Sequence, residues 1–204
     1  VVVDVMAAIG DLRSSYTQLV ELFAPVSDNN DSEFVEVFLA DDRIREDFYN
    51  LLCAFGRTLN LVLNAEQAYN ALQKDERKKY QDTFIFFAKV RRSVKIRYCD
   101  AIDNSEYEPL MQNLLDTHLS VAGLKQLTAP VDILNKEDFE KELEELGSLR
   151  SKADAITSRM NKSISEKREE NPVYYDSFSK RIKDALQMYK EKVISEAEYL
   201  AKMR

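Results

Sequence analysis

Apolar residues recur every three or four positions along most of this chain. Val5, Ile9, Leu12, Tyr16, Leu19 and Phe23 step by 4, 3, 4, 3 and 4, the stripe of one amphipathic helix. Pro25 and the polar run Ser27-Asp28-Asn29-Asn30-Asp31 end it, and a short helix from Ser32 to Leu39 follows. Asp41-Asp42 then caps a long helix with the stripe Ile44, Phe48, Leu51, Phe55, Leu59 and Val62, widened by Leu52. Gly56 sits inside it, at an intrinsic cost on the order of 1 kcal/mol relative to Ala, which a close helix contact would explain. The helical pattern resumes from Ala65 to Leu72 after a kink near Asn64.

The segment from Asp75 to Ile102 reads as the next helix. Tyr80, Phe86, Phe87, Val90, Val94 and Tyr98 share one side of its wheel, and Arg77, Arg91, Arg92 and Lys95 share the other. Phe84, Ile85 and Ile96 fall toward the basic side, so that side is not simply polar. Asn104-Ser105 starts another helix, with Glu108 completing a capping box and Tyr107, Met111, Leu114, His118 and Val121 on its stripe; Gly123 ends it. Leu124 to Leu134 is the longest loop. Asn135 caps a helix carrying Phe139, Leu143 and Leu146, and the stripe resumes after Gly147 as Leu149, Ala153, Ile156, Met160 and Ile164, as one bent helix or two. Ser165 to Glu170 is a solvated, mixed-charge stretch.

Asn171-Pro172 opens the last long segment, Asn as the cap and Pro at the first helical position. Tyr175, Phe178, Ile182, Leu186, Tyr189 and Val193 form its stripe, and Ser195 with Glu198 makes a capping box for a final helix. With only 4 Gly and 4 Pro in 204 residues, the pattern predicts an all-α fold, an irregular bundle of about seven to nine helices. Val1-Val2-Val3-Asp4 reads as the end of a β-strand, and the lack of an initiating Met suggests a piece of a longer protein.

A net charge of −7 argues against nucleic-acid binding over the whole surface. Residues 75 to 100 nevertheless carry eight basic residues against four acidic ones. Cys53 and Cys99 lie within apolar helical runs and read as buried free thiols of a cytoplasmic protein. No apolar run approaches the roughly 18 residues a membrane span needs, and no signal peptide is present.

The chain has neither GxGxxG nor GxxxxGK[ST], and no GxSxG elbow. A Ser-His-Asp or Cys-His site would have to use His118, the single histidine, which lies on the apolar stripe of its own helix and reads as a core or rim residue. A di-metal carboxylate site needs Glu-x-x-His pairs, but Leu115 stands three residues before His118. The acidic run from Glu137 to Glu145 reads as a solvated face. Arg77, Arg91, Arg92 and Lys95 are therefore the candidate contacts to a partner protein or to DNA.

The ending Asn171-Pro172-Val173-Tyr174-Tyr175-Asp176-Ser177-Phe178-Ser179-Lys180-Arg181-Ile182 through Tyr189, then Val193-Ile194-Ser195-Glu196-Ala197-Glu198-Tyr199-Leu200, resembles that of the motor (R) subunit of type I restriction enzymes. That ending combines an Asn-Pro start, an aromatic, a Ser-x-Arg-Ile/Leu helix and a short acidic helix. Val2-Val3-Asp4 looks like the last strand of a helicase-type motor running into the helical extension. Residues 25–41 and 122–136 carry no part of the likeness.

The resemblance implies a parent that is an ATP-dependent DNA translocase and type I site-specific deoxyribonuclease, using ATP and Mg in domains preceding this region. It implies no catalytic, cofactor-binding or metal residue in this chain. Residues 1–24 would be the linker strand and first helix leaving the motor, and 25–204 the C-terminal helical domain, with a possible sub-boundary at 122–136. The expected role is non-catalytic assembly: docking the R subunit onto the methyltransferase and specificity subunits, and reaching DNA through that complex, with no membrane and no small-molecule substrate. The alternatives are a module that contacts duplex DNA directly through helix 75–102, and a small-molecule or metal enzyme built in a helical bundle.

Overall fold

The computed structural model describes residues 4–100, 107–119 and 136–203. Val1 to Val3, the Asn104-Ser105 helix start, Gly123, the loop Leu124 to Leu134 and the Asn135 cap lie outside the described residues. Of the possible boundary 122–136, only Lys136 is described.

Ten helices and no strand are found among the described residues: α1 (Val5–Leu22), α2 (Ser32–Phe38), α3 (Asp42–Asn64), α4 (Glu66–Ala71), α5 (Lys74–Arg97), α6 (Glu108–His118), α7 (Lys136–Glu145), α8 (Leu149–Lys167), α9 (Pro172–Lys190) and α10 (Glu196–Met203). The fold is all-α. The count exceeds seven to nine because two interruptions are full breaks. Ala65 turns extended between α3 and α4, and Ser148 caps α8 in a reciprocal box with Ser151, separating it from α7. Helix α5 ends at Arg97, short of the predicted Ile102.

The caps are those the sequence dictates. Asp4 accepts from the N–H groups of Met6 and Ala7, and Asp41 from Arg43 and Ile44. Asn171 accepts from Tyr174 ahead of Pro172, and Ser195 and Glu198 exchange their bonds at the start of α10. Arg45, buried, donates to the carbonyls of Leu39 and Ala40 and so serves the C-terminal end of α2.

The helices form two compact units. The first holds α1 to α4, α5 up to Arg92, and α6; the second holds residues Ser93 to Asp100 and α7 to α10. In the first, α1 packs on α3 and α4. Its core is largely aromatic. Phe23 stacks on Phe87 with ring centres 4.8 Å apart and meets Phe48 edge-on at 5.5 Å. Tyr16, Phe55 and Tyr80 form a second ring cluster. Gly56 accounts for itself here: a Cβ built on it would stand 2.9 Å from Cε2 of Phe84, so the ring fills the space a side chain would need.

The second unit has two adjoining cores. Ile96, Cys99, Phe139, Leu146 and Ala155 form one, and Ala153, Ala185, Tyr199, Leu200 and Met203 the other. Tyr189 of α9 stacks on Tyr199 of α10 at 4.9 Å, nearly parallel at 9°. The Tyr199 hydroxyl lies 3.0 Å from that of Thr157 on α8, so the last two helices are fastened to α8. Leu149 and Val193 fall on predicted stripes yet are exposed, because Leu149 opens α8 and Val193 lies beyond the end of α9.

Helices α5 and α9 both end in Schellman turns. Asp100 N–H reaches Lys95 O and Cys99 N–H reaches Ile96 O; Val193 N–H reaches Met188 O and Lys192 N–H reaches Tyr189 O. The left-handed residues are Cys99 (φ 47) and Lys192 (φ 57), where L side chains cost about 1 kcal/mol. Lys192 is exposed. Lys192→Gly should therefore stabilise the second unit by up to about 1 kcal/mol, read as a higher urea midpoint. An unchanged or lower midpoint would contradict it.

Candidate partner-contact surfaces

The four cations picked out on helix 75–102 occupy different environments. Arg77 donates to Tyr69 O at 2.7 Å and its guanidinium lies 3.7 Å over the Tyr69 ring, binding α5 to α4. Arg91 is 1% exposed, is ion-paired with Glu108 of α6, and lies 5.7 Å from the centre of the Tyr49 ring. Arg92 is buried and Lys95 half-buried. The four are thus not brought together on one open face. Phe84 and Ile96, which seemed misplaced among them, are fully buried, so the basic side of the wheel is a second packed side. Glu108 carries the Arg91 pair, and the capping box expected between it and Ser105 falls outside the described residues. The exposed cations of α5 are Lys74, Lys78, Lys79 and Lys89.

Two further charged arrangements escaped the sequence. Arg97, fully buried, donates through Nε and an Nη to Asp154 of α8 at 3.0 and 2.7 Å. Arg13 of α1 donates to both oxygens of Glu76 at 2.8 and 3.0 Å, and the Tyr80 hydroxyl donates to the same carboxylate at 2.7 Å. The Arg13 hydrogen bonds, aided by Tyr80, hold the Glu76 carboxyl below its ordinary 4.5 against the opposing effect of partial burial. Burial, then the Glu76 carboxylate, pushes the Tyr80 phenol up to about 12.

A pH dependence follows. Because folding lowers the pKa of Glu76, its contribution to stability is complete above 4.5 and is lost as the pH falls through the lower folded value. Glu76→Gln should flatten the acid limb of the stability curve below pH 4.5, measured by urea unfolding across pH. An unaltered limb would remove the assignment.

The start of α9 is an open apolar surface. Val173 is 82% exposed and Tyr174 52%, while Tyr175 and Phe178 are half-buried. Tyr174 packs on Tyr175 and Phe178 with ring centres 5.2 and 5.0 Å apart, so the aromatics hold one another in place on the surface. They wall a cleft of about 330 Å³ against Met160 and Ile164 of α8. The sequence contained one hint: Val173 and Tyr174 lie off the stripe of Tyr175 and Phe178, giving this turn more apolar surface than one packed face can cover.

Chemistry-bearing clusters are sparse. Among the described residues, no group of three or more His, Cys, Asp or Glu could hold a metal ion, and no helix is long and apolar enough to cross a membrane. His118 ends α6 half-buried, its carbonyl accepting from Gln81. Cys53 and Cys99 are buried thiols outside any disulfide, and burial pushes that of Cys99 up to about 11.

A family model described as "Type I restriction enzyme HindI endonuclease subunit-like, C-terminal" matches residues 32–203. The match takes in the 122–136 stretch, which the likeness seen in the sequence left out. No curated protein and no solved structure matches the chain.

Proposed function

The chain belongs to the type I restriction enzyme HindI endonuclease subunit-like C-terminal family, and from that membership we propose that it is the non-catalytic assembly domain of the endonuclease subunit. In this reading it docks that subunit onto the methyltransferase–specificity core and so couples the ATP-driven motor to DNA recognition. Translocation and cleavage belong to the rest of the subunit.

The observation that carries the reading is the open aromatic turn at the start of α9. An aromatic cluster held in place by its own packing, yet left half in solvent, is the composition of an interface centre rather than of a solvated face. Deleting this domain from the complete subunit should leave a protein that binds ATP but no longer co-purifies with the methyltransferase–specificity core. Normal co-purification after the deletion would overturn the reading.

Direct contact with duplex DNA through helix 75–102 is the second reading. It draws on the exposed Lys74, Lys78, Lys79 and Lys89, which remain at the surface where Arg91 and Arg92 do not. Affinity for duplex DNA would then fall with salt by nearly one unit of log–log slope per cation engaged. Absence of binding at low salt would remove it.

A further inference from the structure

The cleft walled by Tyr174, Tyr175 and Phe178 is not isolated. It shares Met160 and Phe178 with a second stretch of about 510 Å³, which runs along Ile182 and Met188 of α9 to Met203 at the end of α10. From Tyr174 to Met188 the groove follows α9 for about 20 Å at 1.5 Å per residue, room for the anchors of two to three helical turns. Met160, Met188 and Met203 give it an adaptable floor, and the rings give it a firm end. Its lining is mainly cationic. Lys167 lines the first stretch, and Arg181 and Lys202 line the second against Asp184. Arg159 lies over the Phe139 ring and is shared with an adjoining hollow that holds Glu140 and Glu144.

We propose that the α8–α9 groove receives an acidic amphipathic helix contributed by the methyltransferase–specificity core. Residues of that helix at i, i+3 or i+4 and i+7 fill the Met-floored groove, while its Asp and Glu side chains meet Lys167, Arg181 and Lys202. The chain as a whole carries −7, so a groove that combines cations with an apolar floor favours an acidic, amphipathic partner at this place. Nucleic acid would match the cations but leave the methionines unfilled. The assignment rests on the docking role proposed above.

Two measurements test it. In the complete endonuclease subunit, Phe178 is replaced by photoreactive benzoylphenylalanine, and the assembled complex is irradiated and mapped. The expected cross-link falls on a helix of a partner subunit that carries carboxylates and apolar residues at helical spacing. A cross-link to a second copy of this chain or to DNA, or none at all, would overturn the proposal. Separately, Arg181→Glu with Lys202→Glu changes two exposed residues, and helicity should be unchanged by circular dichroism. Affinity for the methyltransferase–specificity core should fall about tenfold and lose much of its salt dependence. If the double variant assembles normally while deletion of the domain abolishes assembly, the groove is excluded and the docking role stands. If deletion has no effect, the docking role itself falls.

Discussion

Asp154→Ala is expected to destabilise the second unit by about 3 to 5 kcal/mol. The substitution removes the carboxylate from a guanidinium that is 0% exposed, and Arg97 cannot shed its charge. Replacing both at once, as Arg97→Met with Asp154→Leu, should recover most of the loss, because the cost lies in the abandoned charge more than in the pair's net attraction. Urea unfolding of the single and double variants decides this. A double variant no more stable than Asp154→Ala would show that the pair itself supplies the stability.

The second large effect belongs to Tyr199. It is fully buried, stacks on Tyr189 and meets the Thr157 hydroxyl, and so joins α10 to both α9 and α8. Tyr199→Ala should cost about 3 to 5 kcal/mol through the cavity it leaves. Tyr199→Phe should cost only about 1 kcal/mol, since Thr157 keeps its 2.8 Å bond to Ala153 O. Hydrogen exchange should place the Tyr199→Ala loss in α9 and α10. Equal costs for the two variants would mean that the hydroxyl, not the ring, holds the end of the chain.

What was legible in the sequence was local. Helix starts depend on one side chain and the N–H groups two or three residues on, so Asp41, Asn171 and Ser195 could be identified from their neighbours alone. Helical period did the same for most of the core. The fate of the cations was not legible. Arg91 is settled by Glu108, 17 residues away, and Arg97 by Asp154, 57 residues away, and a helical wheel holds no record of either. A basic stripe therefore looked like a surface when part of it was interior.

The aromatic turn shows a second limit. Tyr175 and Phe178 fall on the predicted stripe, yet they stand half in solvent with Val173 and Tyr174 beside them. Periodicity shows that a face is apolar; it does not say whether the same chain covers it. The family, by contrast, was legible from the ending Asn171 to Leu200, a stretch that contributes caps, rings and surface.

The fit of Phe84 into the space above Gly56 has a bearing on how this family can vary. A 2.9 Å approach leaves no room for independent change at the two positions. Across related chains, substitution of the residue aligned with Gly56 by Ala or Ser should accompany a smaller side chain at the position of Phe84, and a retained Phe should accompany a retained Gly. The two sites lie on different helices, so such linked variation would mark the α3–α5 contact as inherited architecture in relatives whose surfaces have otherwise diverged.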